Sequence, residues 1–214
     1  MPALLPIVSA AALLCGAIAI GAHYVQPRRP WLIAVFKPLA TILILGVALL
    51  PGRLGSEAYA RAIAAGLVFS LLGDILLMLP DRFIQGLAAF LLAHCAYIVA
   101  FHEGAAAPGF AWALAAAALV GGGVLSYLWN GLTGGMKPPV TLYVIVIGLM
   151  TALAVGRWLG RPAAPTLRAA AGALLFLCSD AMLAIDRFRR PFRPARAAVL
   201  GSYYAAQLLI ALSV

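Results

Sequence analysis

Residues 31–50 read WLIAVFKPLATILILGVALL, a run of twenty residues that contains one charged side chain, Lys37. A helix of that length rises about 30 Å, which matches the hydrocarbon core of a bilayer. Comparable apolar runs cover most of the chain; all eight are 4–21, 31–50, 58–79, 84–101, 109–128, 139–156, 168–186 and 197–213. The sequence therefore predicts an all-α polytopic integral membrane bundle of eight transmembrane helices, forming a single domain over residues 1–214.

The composition excludes a soluble protein. Hydrophobic residues make up 65% of the chain and charged residues 10%, whereas a soluble domain carries about 25% charged residues. The net charge of +9 does not indicate nucleic acid, because the basic residues lie at the ends of apolar runs without interleaved aromatic residues. We therefore expect a lipid bilayer as the partner and no nucleic acid, with the oligomeric state left open.

The distribution of Lys and Arg predicts the orientation of the helices. Ten basic residues lie in or beside the odd-numbered loops and five beside the even-numbered ones. The positive-inside rule then places the odd loops in the cytoplasm and both termini outside. Half of the ten belong to the segment 187–196, where contact with lipid phosphates is a second interpretation. A composition rich in Ala, Gly and Arg is typical of high-GC bacteria and indicates the bacterial inner membrane.

Two short patterns recur about one hundred residues apart and predict an internal duplication. Residues 37–41 read KPLAT and open the second run, and residues 137–141 read KPPVT and open the sixth. An aspartate in the third and in the seventh run is followed 23 residues later by a tyrosine; the pairs are Asp74 with Tyr97 and Asp180 with Tyr203. Four spans per copy would give a parallel 4+4 repeat, with coincidence between short matches as the alternative.

Asp74 and Asp180 are acidic residues flanked by apolar residues within a predicted span. A carboxylate near the middle of a bilayer costs about 2.5–3.5 kcal/mol on insertion scales, so such residues usually have a function. The alternative is a structural hydrogen bond or ion pair between helices. Counting residues to the ends of their spans places both carboxylates ~8–10 Å below the same, predicted cytoplasmic, surface.

Further polar side chains enter the predicted bundle near that surface. They are Lys37, Tyr143, Tyr203, Tyr204 and Gln207, and His94 lies deeper, in the fourth run. Two of them have alternative interpretations: Lys37 can extend its ammonium group to the headgroups, and His94 can be a packed, hydrogen-bonded residue. The concentration of buried polarity in one leaflet is nevertheless typical of a functional site.

The chain contains no HExxH zinc motif, no phosphate-binding P-loop and no G-x-S-x-G nucleophile motif. Its cysteines, Cys15, Cys95 and Cys178, lie in apolar runs without ligand spacing, so we expect neither a metal nor a cofactor. What remains is a pair of carboxyl groups in a dry environment. Burial would keep one protonated near neutral pH while the other stays ionised near Lys37, which is an arrangement suited to general acid catalysis.

The chain resembles the YhhN-like family of membrane lysoplasmalogenases, which are eight-span proteins. The matching elements are Lys37-Pro38-Leu39, Gly73-Asp74, Gly86-x-x-x-Phe90-x-x-x-His94-x-x-Tyr97, Tyr143, Ser179-Asp180 and Tyr203-Tyr204-x-x-Gln207. The resemblance implies hydrolysis of the vinyl ether bond of a lysoplasmalogen, a single-chain phospholipid, to a fatty aldehyde and a glycerophospho-base. It also implies that Asp74 and Asp180 are the catalytic pair, and a cavity open to one leaflet would admit this lysophospholipid sideways.

Two other functions fit the same residues. A transporter would use the two aspartates to bind protons or a cation between the parallel repeats. Such proteins usually carry helix breaks in matching spans of the two halves, whereas the prolines of this chain cluster at span ends. The other alternative is a structural or lipid-binding membrane protein without turnover.

Overall fold

The computed structural model describes residues 4–25, 30–50, 56–105 and 107–214. Within them the chain forms eight α-helices, one for each predicted span. The helices are α1 (Leu4–Val25), α2 (Pro30–Leu49), α3 (Glu57–Leu76), α4 (Phe83–Phe101), α5 (Ala107–Leu128), α6 (Lys137–Gly160), α7 (Ala164–Phe188) and α8 (Ala195–Ala211). Two predicted connections, 26–30 and 51–53, lie wholly or mostly outside the described residues.

Seven of these helices, α1 to α7, are long and apolar enough to cross a membrane, whereas α8 has 17 residues and is the shortest. Large apolar side chains cover the outside of the bundle, for example Trp112 and Leu119, which are 78% and 79% exposed. Helices satisfy their own backbone hydrogen bonds, as the interior of a bilayer requires. The protein is therefore an integral, multi-pass membrane protein.

Helices that are neighbours in sequence pack against each other in pairs, α1 with α2, α3 with α4, α5 with α6 and α7 with α8. The bundle closes through contacts of α8 with α1 and α2 and of α4 with α6. Helices α7 and α8 approach each other closely at Gly172, where a Cβ would lie 2.9 Å from the carbonyl oxygen of Ala206. Only a residue without a side chain permits this distance between the two helices. The helices of the first half of the chain thus pair in the same order as those of the second half. Any bundle of consecutive antiparallel helices shows this order, so the internal repeat stays a prediction.

The structure corrects some of the predicted boundaries. α3 ends at Leu76 and not at residue 79, because Pro80 has no N–H and disfavours a helical residue before it. The chain then turns, and Asp81 has a positive φ of 57°. α7 begins four residues earlier than predicted, at Ala164. The hydroxyl of Thr166 accepts a hydrogen bond from the N–H of Ala163 (3.1 Å) and so caps this end.

Candidate active site

A cavity of about 620 Å³ opens at the end of the bundle where α1, α3 and α7 end and α2, α4 and α8 begin. Asp74 and Asp180 both line it, although they lie two and eight residues before the ends of their helices. Counting residues in the sequence predicted that the two carboxyl groups lie equally far from the ends of their helices. In the structure these two distances differ. The cavity nonetheless has both carboxyl groups in its wall, together with Lys37 and Tyr203.

The residue before each aspartate fixes the local packing. Gly73 has no side chain, and the ring of Phe90 on α4 occupies the space, since a Cβ at Gly73 would lie 2.6 Å from a ring carbon. The hydroxyl of Ser179 donates a hydrogen bond to the carbonyl of Val199 (3.0 Å), which ties α7 to α8. The Gly-Asp and Ser-Asp pairs thus combine a packing position with an acidic one.

Asp74 is almost completely buried, with 1% of its surface exposed, and several donors surround its carboxylate. Thr41 and Tyr203 donate hydrogen bonds of 2.7 Å to Oδ2. The ammonium of Lys37 lies 3.2 Å from Oδ1 and also donates to the backbone carbonyl of Asp74. Charge-assisted hydrogen bonds of this kind stabilise an ionised carboxylate. Lys37 therefore does not extend to the headgroups, which was the alternative interpretation of its sequence position.

Asp180 has a different environment, and its side chain is 15% exposed. The hydroxyl of Tyr143 donates a hydrogen bond of 2.5 Å to Oδ2, and Nε2 of His94 lies 3.7 Å from the same oxygen. Among the described residues, no lysine or arginine lies within 4.0 Å of this carboxyl group. The two aspartates thus differ in what surrounds them: Asp74 has an ammonium group and two hydroxyl donors, and Asp180 has one phenol and an imidazole.

His94 is fully buried behind Asp180 and lines neither this cavity nor the smaller apolar one beside it. Its ring packs edge-on against Tyr143 and Phe176, with ring centroids 5.1 and 4.7 Å away. Neither ring nitrogen has a hydrogen-bond partner among the described residues. His94 thus lies beside Asp180 without a hydrogen bond to it, and its predicted role in binding substrate stays a prediction.

Three other predicted site residues also lie one layer behind the cavity wall. Tyr97 donates a hydrogen bond of 2.7 Å to Oε1 of Gln207, and both side chains are fully buried. Tyr204 packs against Tyr203, with ring centroids 5.2 Å apart. Neither cavity is lined by any of the three. They support the wall around Tyr203, and direct contact with a substrate stays a prediction for them.

The structure adds residues that sequence reasoning did not single out. Thr41 belongs to the KPLAT pattern, and only the packing of α2 against α3 shows that its hydroxyl reaches Asp74. Arg187 and Arg196 were interpreted mainly as topology determinants, yet both line the mouth of the cavity. His23 also lies there, and a guanidinium nitrogen of Arg196 lies 3.4 Å from its Nδ1. The mouth therefore holds two guanidinium groups and an imidazole, together with the carboxyl group of Asp186.

Fold and site together define a polytopic membrane protein whose bundle encloses a cavity with two dissimilar carboxyl groups. The profile of the YhhN family matches residues 32–214, and the chain belongs to this family. The sequence resemblance is thereby confirmed.

The chain is similar to named relatives over most of their length. It is 35% identical to the lysoplasmalogenase TMEM86B of Homo sapiens, over 88% of this chain and 77% of the relative. It is 38% identical to the lysoplasmalogenase TMEM86A of Bos taurus, over 86% and 78%. With the membrane protein YhhN of Escherichia coli it shares 33% identity, over 90% and 91%. No solved structure matches the chain.

Proposed function

We propose that this protein is a lysoplasmalogenase, which hydrolyses the vinyl ether bond of a lysoplasmalogen to a fatty aldehyde and a glycerophospho-base. The observation that carries the proposal is the cavity wall that holds Asp74 and Asp180 in different surroundings. Its family and the relatives named lysoplasmalogenase, which are 35% and 38% identical, support it.

The reaction needs a proton on carbon, and Asp180 is the proposed acid. The carboxyl group of Asp180 gives its proton to the β-carbon of the vinyl ether and becomes a carboxylate. The electron pair of the double bond forms the new C–H bond, and the ether oxygen stabilises the remaining cation as an oxocarbenium ion. Asp180 is partly exposed to the cavity, and none of the lysines and arginines that the structure describes lies within 4.0 Å to hold it in the ionised form. Tyr143, bound to its Oδ2, orients the acid toward the substrate.

Asp74 is the proposed counterion of the oxocarbenium ion. Its negative charge is held in place by Lys37, Thr41 and Tyr203, so little reorganisation is needed when positive charge develops. Water then adds to the cation, and its proton returns to the carboxylate of Asp180. The hemiacetal collapses to the aldehyde and the free hydroxyl of the glycerophospho-base. The net change consumes one water molecule.

The basic mouth of the cavity is the proposed site for the phosphate of the substrate. Arg187 and Arg196 line the mouth and are exposed, and guanidinium groups bind phosphate oxygens through paired N–H donors. A single-chain lipid entering from one leaflet would place its phosphate there and its vinyl ether deeper, beside Asp180. The proposal includes the bacterial inner membrane as location, both termini outside, and residues 1–214 acting as a single domain.

The experiment is aldehyde release from a lysoplasmalogen by purified protein in detergent. We expect wild type to release aldehyde, and Asp74→Asn and Asp180→Asn to release at least about a hundredfold less. Asp81→Asn is the matched control, because Asp81 is exposed in the turn after α3 and its positive φ suits asparagine. All variants are first shown to be folded by size-exclusion chromatography and thermal unfolding.

Two results would contradict the proposal. Folded Asp180→Asn protein with wild-type activity would remove the acid from the mechanism. No aldehyde from wild type, together with proton-coupled uptake into liposomes, would favour the transporter.

A further inference from the structure

A second, apolar cavity lies on the other side of Asp180, between α4, α5, α6 and α7. Its volume is about 70 Å³, and its walls are aliphatic and aromatic apart from the Asp180 carboxyl group and the Tyr143 hydroxyl. We call it the chain groove. Its lining includes Val120, Gly121 and Val124 of α5, and Val144 and Ile147 of α6.

The chain groove shares part of its wall with the polar cavity. Asp180, Phe83 and Leu183 line both, so the carboxyl group stands where a polar space meets an apolar one. A lysoplasmalogen has the same division, because its vinyl ether joins a charged headgroup to a hydrocarbon chain. We propose that the chain groove binds the first carbons of the alkenyl chain and so holds the vinyl ether against Asp180. This assignment rests on the proposed function.

The far end of the chain groove leads toward lipid. Val120 lines the chain groove with 51% of its surface exposed, and the adjoining Leu119 is 79% exposed. A volume of about 70 Å³ takes only the carbons next to the vinyl ether. The rest of the chain continues past α5 among the acyl chains of the bilayer. The chain groove therefore recognises a hydrocarbon attached to the vinyl ether without measuring its whole length.

Gly121 determines how much space the chain groove offers. A Cβ at this position would lie 2.9 Å from Cγ1 of Val144, so a side chain there must displace its neighbour and fill the space. Gly122, the next residue of the same helix, has nothing within 4 Å of a Cβ and is exposed. Gly121→Val and Gly122→Val thus make the same chemical change in the same helix, and only the first reaches the chain groove.

The first test compares two substrates that differ in chain length. For a sixteen-carbon alkenyl chain, Gly121→Val should lower kcat/KM by about tenfold or more, the loss expected when two methylene groups are no longer buried. For a two-carbon chain, the bare vinyl ether, kcat/KM should stay close to wild type, because no carbon beyond the vinyl ether is present to enter the chain groove. Gly122→Val should change neither value. Equal losses with both substrates, or equal effects of the two substitutions, would overturn the assignment.

The second test does not depend on turnover or on a variant. A saturated ether lysophospholipid with a diazirine on the third carbon of its chain is bound to wild-type protein, irradiated and mapped by mass spectrometry. We expect adducts within residues 120–124 or 144–147, and adducts found only elsewhere would overturn the chain groove. If the groove is labelled but no lysoplasmalogen is hydrolysed, the proposed function fails and the groove remains as a lipid-binding site.

Discussion

Replacing Lys37 with methionine tests the central electrostatic feature of the site. The side chain keeps its approximate length and loses its charge, so Asp74 is left almost completely buried without its cation. Removing one partner of a buried ion pair costs about 3–5 kcal/mol, because the remaining charge is uncompensated. A chain of this size shifts by about 2–4 °C in Tm per kcal/mol. We therefore expect Lys37→Met to lower Tm by roughly 6–20 °C.

The assay is thermal unfolding of the purified protein in detergent, read as loss of the monodisperse peak. The double variant Lys37→Met/Asp74→Asn removes both charges, and we expect it to recover more than half of the lost Tm. Arg61→Met is the matched control, because Arg61 forms an exposed pair with Glu57 at 3.8 Å. Exposed pairs contribute less than about 1 kcal/mol, so its Tm should change by only a few degrees at most.

Two results would refute the predicted coupling between Lys37 and Asp74. One is a Lys37→Met protein that unfolds at the wild-type temperature. The other is a double variant whose change in Tm equals the sum of the changes of the two single variants. In either case the short distance between Lys37 and Asp74 would carry no energetic coupling, and the ionised state proposed for Asp74 would lose its support.

Three further predictions concern the site, two of them its catalysis and one its stability. The rate should fall as pH rises, because a deprotonated Asp180 has no proton to donate; a flat profile from pH 5 to 9 would exclude it as general acid. Tyr203→Phe removes a 2.7 Å hydrogen bond to Asp74 and should destabilise the protein by about 1.5–3 kcal/mol, measured by thermal unfolding. Tyr204→Phe is its control and should change little, because that hydroxyl has no partner among the described residues. Arg196→Gln should raise KM and leave kcat nearly unchanged, as steady-state kinetics would show.

The fold was predictable from sequence because the interior of a bilayer offers the backbone no hydrogen-bond partners. Each apolar run of about twenty residues had to satisfy its own N–H and C=O groups, and every one became a helix. The helix ends were less predictable, since they depend on local hydrogen bonds. Thr166 extends the start of α7 through a cap, and the turn before Pro80 shortens α3.

The candidate site was only partly predictable, because pairing depends on how each helix is rotated. The cost of burying a charge indicates that Asp74 needs a partner, and Lys37 was a natural candidate. A threonine gives no such signal: Thr41 reaches across to Asp74, whereas Thr151 donates to the carbonyl of Ile147 on its own helix. The same limit applies to the apolar cavity, whose walls come from four helices.

The two aspartates occupy comparable places in the two halves of the chain. Each receives a hydrogen bond from the helix before it, from Thr41 to Asp74 and from Tyr143 to Asp180. Each also has a polar ring from the last helix of the other half beside it; these rings are Tyr203 and His94.

The lysines break this correspondence. Lys37 points into the bundle and pairs with Asp74, whereas Lys137, at the matching position of the other pattern, lies over the ring of Trp129. Asp74 therefore has a cation within 4 Å, whereas Asp180 has a phenol and an imidazole beside it. In the part of the chain that the structure describes, no lysine or arginine lies within 4.0 Å of Asp180, so this carboxyl group has no counterpart of Lys37. In the proposed mechanism, the placement of a single lysine therefore assigns Asp180 as the acid and Asp74 as the anion.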